Sequence, residues 1–107
     1  MSVNDDLPWI APTLSLIRDA DKRGVPVIGH CLGGQLMSKA FGGAITKNPV
    51  KEIGWGEVAC VGAVAAEWLG DGVENTAASS AKFEVFQWHG ETFSLPPQAT
   101  RILQSAY

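Results

Sequence analysis

Val25-Pro26-Val27-Ile28-Gly29-His30-Cys31-Leu32-Gly33-Gly34-Gln35 is the stretch on which the fold turns. Its first half, residues 25–30, is a short, β-branched, uninterrupted apolar run, which reads as a strand buried on both faces. Its second half opens a helix from about Leu32 to Phe41, with Leu36, Met37, Ala40 and Phe41 on the apolar side and Gly42–Gly43 as the stop. Between them stands the pattern G-x-C-x-G, Gly29 to Gly33, the cysteine form of a nucleophile elbow. A nucleophile held between a strand and a helix occupies a tight, strained turn. Glycines two residues before and two after it remove the side chains that would collide there. Such a turn sets Cys31 at a helix N-terminus, whose dipole end favours an anion such as a thiolate. It also aims the N–H of Leu32 toward an oxyanion formed on a bound carbonyl. A buried cysteine beside a glycine-rich turn is the rival explanation of a lone G-x-C-x-G. The strand before and the helix after are the context that favours an elbow.

Upstream, Ile10, Leu14 and Ile17 share one face of a helix that starts near Pro12 and stops at Gly24. The acidic pair Asp5–Asp6 is placed to cap its N-terminus. Helix, buried strand, sharp turn, helix is the order of an α/β fold. The expected architecture is a partial, flavodoxin-like, doubly wound sheet, with Cys31 at the carboxyl end of a parallel strand. Downstream, Trp55 to Val64 reads as a strand. VAAEWLG, residues 64–70, reads as a short helix, followed by a turn at 70–72 and a polar loop from Glu74 to Ala81. Residues 82–89 alternate as a strand, 91–97 read as a loop and 99–106 as a final strand.

Composition narrows the function. The 107 residues suffice for one domain, and 46% hydrophobic with 18% charged residues is a core-forming balance. A net charge of -3 and a pI near 5.2 point to neither nucleic acid nor an anionic membrane surface as partner. Two cysteines, Cys31 and Cys60, are too few for a disulfide scaffold, and the N-terminus lacks the pattern of a signal peptide. Reduced thiols in the cytoplasm are therefore expected. Cys60 follows strand-like alternation and is expected in the core, and Trp9, Trp55, Trp68 and Trp88 as core or rim aromatics. No cluster has metal-ligand spacing and no phosphate loop is present, so neither a metal nor another cofactor is expected.

A second histidine-bearing segment completes the candidate site. His89 and Glu91 are spaced His-x-Glu. Chemistry alone nominates Cys31, His89 and Glu91 as a triad, since a thiol nucleophile needs a base and an acid fixes the tautomer of that base. His30, inside the elbow, points the wrong way for that role.

VPVIGHCLGGQLMSKAFGG, residues 25–43, resembles the nucleophile segment of class I (triad-type) glutamine amidotransferases, including Gln35 in G-x-C-x-G-x-Q. FQWHGETFSLPPQATRILQSA, residues 86–106, resembles that family's His-Gly-Glu turn followed by Leu-Pro, and NPVKEIGWG at 48–56 extends the likeness. The similarity is to the stand-alone type resembling the amidotransferase part of GMP synthase. It implies Cys31 as nucleophile, Gly29, Leu32 and Gly33 as elbow and oxyanion groups, and Gln35, Trp88, His89 and Gly90 on the glutamine side. Under this resemblance the triad His-x-Glu lies on a later strand, in a segment like Q-x-H-x-E. His89 then positions substrate, and the local Cys31–His89–Glu91 triad is the alternative. Glu52 and Trp55 would fall in a loop that shapes the glutamine pocket. The resemblance further implies that residues 1–107 form an incomplete domain, with the front strands, a glycine-rich oxyanion loop and the later His-x-Glu missing. The implied reaction is glutamine amide hydrolysis through a Cys31 thioester, with ammonia passed to a synthetase partner or another acceptor and activity impaired in so short a chain. Two alternatives accompany it: an inactive fragment or regulatory remnant, and a cysteine peptidase or gamma-glutamyl hydrolase of the same architecture.

Overall fold

A computed structural model describes residues 1–70 and 81–107, so the turn expected at 70–72 and the polar loop at 74–81 lie, but for their end residues, outside the described residues. In chain order the elements are α1 (Ile10–Lys22), α2 (Leu32–Ala40), β1 (Ile45–Cys60), α3 (Val64–Leu69), β2 (Lys82–Phe93) and β3 (Leu103–Gln104). The three strands form one small sheet in the order β2-β1-β3, and β3 runs antiparallel to the end of β1, pairing Ala59 with Gln104 and Cys60 with Leu103. The chain is mixed α/β and divides into two compact units, residues 1–48 with 90–99 and residues 49–89 with 100–107.

The first unit is built on its two helices. Ile10, Leu14 and Ile17 recur at the spacing of one helical face, so α1 buries them together against Leu36 and Ala40 of α2 and Ile45 at the start of β1. Val3 is fully buried in the same core. Polar side chains tie the chain around that core by serving backbone carbonyls. Lys39 Nζ donates to Val3 O at 2.8 Å and Arg18 Nε to Ala40 O at 2.7 Å, where the end of α2 leaves its last carbonyls without helical donors. Pro12 falls in the first turn of α1, where a missing N–H costs nothing. The expected acidic cap is not used. Trp9 stands at the N-cap with no side-chain cap, and the Asp5 carboxylate instead accepts from the backbone N–H of Ser2 at 2.7 Å.

The segment expected as a buried strand, residues 25–30, is extended chain without regular structure. Val25 is 53% exposed and Ile28 95%. A strand exists only through ladder partners, and the three described strands pair with one another rather than with this run. The parallel, doubly wound sheet expected around it is likewise not formed among the described residues.

The second unit is organised by β1 and β2. The strand expected from Trp55 begins at Ile45 and has 16 residues, taking in the NPVKEIG stretch that read as a loop, and it ends at Cys60 rather than Val64. Residues 82–89 are a strand as the alternation indicates, but β2 runs on to Phe93, while the final strand contracts to Leu103–Gln104. Cys60, 2% exposed, and Ala65 form the buried centre, with Ala66, Leu69, Ala81, Ile102 and Leu103 packed against them. The backbone is stitched there by Cys60 N–H to Ala81 O at 2.8 Å and Val61 N–H to Ile102 O at 2.9 Å. Trp55, Trp68 and Trp88 are exposed rather than core. Phe86 meets Trp55 edge-on at 5.7 Å between ring centroids and stacks on Trp88 at 6.1 Å. Among the described residues no helix is long and apolar enough to cross a membrane.

Candidate active site

Cys31 is the N-cap of α2, with φ 52° and ψ −111°. A non-glycine residue at positive φ is uncommon, and strain of this kind costs on the order of 1–3 kcal/mol. The hydrogen bonds that hold it are local. Gly33 N–H donates to His30 O at 2.9 Å, and Cys31 O accepts from Gly34 N–H at 3.0 Å and Gln35 N–H at 3.3 Å. Leu32 is the first helical residue, so its N–H is one of those a helix cannot satisfy internally. Gly29 explains why the turn closes so tightly. A Cβ there would lie 2.5 Å from the carbonyl carbon and the oxygen of Gly33 and 2.7 Å from the nitrogen of Gly34, all backbone atoms. At Gly33, by contrast, a Cβ would meet nothing within 4 Å, so of the two elbow glycines only Gly29 is sterically required. Cys31 is exposed and free of any disulfide, with His30 exposed beside it.

Gln35 lies on α2 one turn beyond the cysteine, 7% exposed, and its Nε2 donates to the backbone O of Glu91 at 3.4 Å. The Glu91 carboxylate, through Oε1, accepts from Ser2 Oγ at 2.9 Å. Two contacts therefore moor the 90–91 segment to the helix that carries Cys31 and to the N-terminal chain. Farther along, Ser38 Oγ donates to Ser94 O at 3.0 Å, and Ala44 and Ser94 exchange two bonds, Ala44 N–H to Ser94 Oγ and Ser94 N–H to Ala44 O, each 2.9 Å. The end of β2, with Gly90 and Glu91, is thus fixed in the first unit, together with Cys31.

His89 belongs to the second unit. Its Nε2 stands 3.1 Å from Glu52 Oε2 and 3.1 Å from Gln87 Oε1. Glu52 is inward, its side chain 11% exposed against 26% for His89, and its Oε2 also accepts from Ser105 Oγ at 3.1 Å. Glu52 is therefore a strand residue of β1 facing histidine, not a loop residue as the sequence reading had it. Trp88, next to His89, points to the exposed aromatic row. The described residues accordingly bring together Gly29, Cys31, Leu32, Gly33, Gln35, Gly90 and Glu91 in one unit, and Trp88, His89 and Glu52 in the other. Sequence reasoning passed over Glu52 as a histidine partner. The signal available was the pair of carboxylates in the alternating stretch 50–58, Glu52 and Glu57, which their odd spacing would turn to opposite sides of a strand.

A strained cysteine turn opening a helix in a mixed α/β chain defines a protein built around a cysteine elbow. The chain belongs to the class-I glutamine amidotransferase family, whose model matches residues 3–106. It is similar to a glutamine amidotransferase of Methylobacillus flagellatus of known structure, with 50% identity and a TM-score of 0.88 over 99% of this chain and 40% of that one. A glutamine amidotransferase from Thermotoga maritima is similar at 31% identity and a TM-score of 0.80, over 99% of this chain and 44% of the other. Among curated proteins, the glutamine-hydrolysing GMP synthase of Pseudomonas fluorescens is 33% identical over 84 residues, covering 77% of this chain and 15% of that protein. The chain thus spans less than half of the solved relatives and about a seventh of the curated one.

Proposed function

We propose that this chain carries the nucleophile half of a glutamine amidotransferase site, with glutamine as substrate and Cys31 as the attacking group. The observation that carries the reading is Cys31 itself, held at φ 52° on the N-terminus of α2 and exposed, in a chain of this family. The Cys31 sulfur attacks the side-chain carbonyl carbon of glutamine. The carbon–nitrogen bond breaks, the thiol proton leaves with the nitrogen as ammonia, and a thioester to Cys31 remains. Water then adds to the thioester carbonyl, glutamate departs and the thiol is restored. Both steps pass through an oxyanion at the same carbonyl, where the Leu32 N–H is a donor. Gly29 and Gly33 shape the turn, and Gln35, Trp88, His89 and Gly90 belong to the glutamine side. The ammonia goes to a synthetase partner, in keeping with the relative named GMP synthase, and the cytoplasm is the compartment this reading expects.

His89 acts on the substrate side in this reading, so the base for fast turnover is not drawn from residues 1–107. Residues 1–107 alone should hydrolyse glutamine far more slowly than a chain that also contains a Q-x-H-x-E segment, because a general base contributes on the order of 10²–10⁴-fold. The direct test is covalent. The diazoketone analogue of glutamine should alkylate Cys31, identified by peptide mass mapping, and excess glutamine should protect it. Alkylation by iodoacetamide with no preference for the glutamine analogue would overturn the reading.

A further inference from the structure

We propose that Glu52 is a positioning residue of the glutamine site, holding the His89 ring in one orientation and one tautomer; this rests on the reading of His89 as a glutamine-side residue. The three strands of the sheet converge on it. Glu52 is on the central strand β1, His89 and Gln87 are on β2 to one side, and Ser105 follows β3 on the other. Glu52 Oε2 receives Ser105 Oγ–H at 3.1 Å and His89 Nε2 at 3.1 Å. An ionised carboxylate only accepts, so the ring carries a proton on Nε2 in its neutral and its charged form alike. The second acceptor at Nε2, Gln87 Oε1 at 3.1 Å, demands the same proton. In the neutral ring Nδ1 is then the nitrogen without hydrogen.

The consequence reaches function. A histidine whose Nε2–H is committed to a carboxylate is not using that nitrogen as a base toward sulfur. It is a fixed polar group within β2, and a ring set in advance spares the substrate the entropy of ordering it. The carboxylate is low in exposure, so the hold is not the weak kind of an open surface pair. Ser105 Oγ is a second donor within reach of the same oxygen, its one proton shared with the carbonyl of Tyr107 at 3.2 Å.

The test uses the full chain and two readouts. In proton–nitrogen correlation spectra of the imidazole, the wild type should show His89 in the Nε2–H tautomer. Glu52→Ala should give a mixture, and Glu52→Gln, whose amide oxygen still accepts, should stay near wild type. In alkylation by the glutamine diazoketone, Glu52→Ala should raise the half-saturating concentration about tenfold, equivalent to about 1.4 kcal/mol. The limiting rate at Cys31 should hold within about twofold and Glu52→Gln should recover most of the affinity, because Glu52 acts on binding and not on the sulfur. Ser105→Ala, a smaller change, should shift the same two readouts in the same direction if Glu52→Ala folds poorly. An Nδ1–H ring in the wild type, a tautomer unmoved in Glu52→Ala, or an unchanged half-saturating concentration would overturn the proposal. Wild-type Cys31 that reacts with iodoacetamide but shows no saturation by the glutamine analogue would instead overturn the glutamine reading, and with it Glu52's part in substrate affinity. The ring spectra would then still decide whether Glu52 holds His89.

Discussion

The cysteine turn and the histidine strand are held by different physics. Around Cys31 the backbone does the work: Gly29 lets two peptide segments approach to a separation that no Cβ allows, and successive N–H groups close the turn on His30 and Cys31 carbonyls. Around His89 side chains do it, through Glu52, Gln87 and Ser105. A backbone-built turn tolerates almost no substitution at its contact points but needs no distant partner. A side-chain-built site tolerates conservative exchange but depends on residues far away in the chain. The first kind of position should fail abruptly on mutation and the second by degrees.

The sharpest break comes at the sulfur. On the proposed reading, Cys31→Ala should abolish labelling by the glutamine diazoketone, and any glutamine turnover should fall by at least about 10³-fold, since the other thiol, Cys60, is buried. Labelling that persists at another residue would move the nucleophile out of the elbow.

Next in size is the steric test of the turn. Gly29→Ala places a methyl within 2.5 Å of Gly33 backbone atoms, which cannot rotate aside. Relief requires the turn to open, at an expected cost of about 2–4 kcal/mol in chemical denaturation, the sum of overpacking and backbone strain. Gly33→Ala, with nothing within 4 Å of its Cβ, should cost only about 1 kcal/mol or less. Equal losses at the two glycines would erase the distinction between a contact glycine and a merely open one.

These two regions also divide what was legible. The G-x-C-x-G spacing is local, and every atom that holds the turn lies within residues 29–35, so a short window contains the whole cause. The helical faces of α1 and α2 were legible for the same reason, since Ile10, Leu14 and Ile17 need only the helical period to fall together. The strand at 25–30 was misread because a β-branched run states a preference but not a partner, and ladder pairing decides. β1 begins ten residues before the stretch that reads as a strand because pairing in the sheet carries the chain through Pro49 and Gly54. One partner of His89, Glu52, was hidden for the complementary reason: it comes near only once β1 and β2 are neighbours. Fold class and the strained turn at Cys31 are therefore readable from short windows, and the histidine environment is not.

A milder test bears on the first unit's side-chain bonds. Ser38 is buried, and its Oγ donates to Ser94 O at 3.0 Å, tying α2 to the chain after β2. Ser38→Ala should cost about 0.5–1.5 kcal/mol, the range for one intramolecular hydrogen bond, since the accepting Ser94 is exposed and its carbonyl can turn to water. A loss as large as that at Gly29 would show that side-chain bonds matter as much as backbone contacts in this unit.

The smallest effect should carry the opposite sign. Asn48 lies in β1, and both its side-chain atoms, Oδ1 and Nδ2, are buried without a hydrogen-bond partner. A buried amide left unpaired keeps its desolvation cost and gains no bond in return. Asparagine is also a poor strand residue, because its side chain competes for nearby backbone groups. Replacing it by leucine, close in shape and free of polar atoms, removes the penalty and suits the strand better. Asn48→Leu should therefore leave stability unchanged or raise it by up to about 1 kcal/mol in urea denaturation, with the slope of the transition unaltered. Asn48→Ala separates the two contributions: it also removes the polar atoms but leaves a void, so it should fall below the leucine variant. A loss of more than about 1 kcal/mol in Asn48→Leu would mean that the amide is satisfied in the folded protein, and that this stretch of β1, like the environment of His89, is set by side-chain bonds rather than by its backbone.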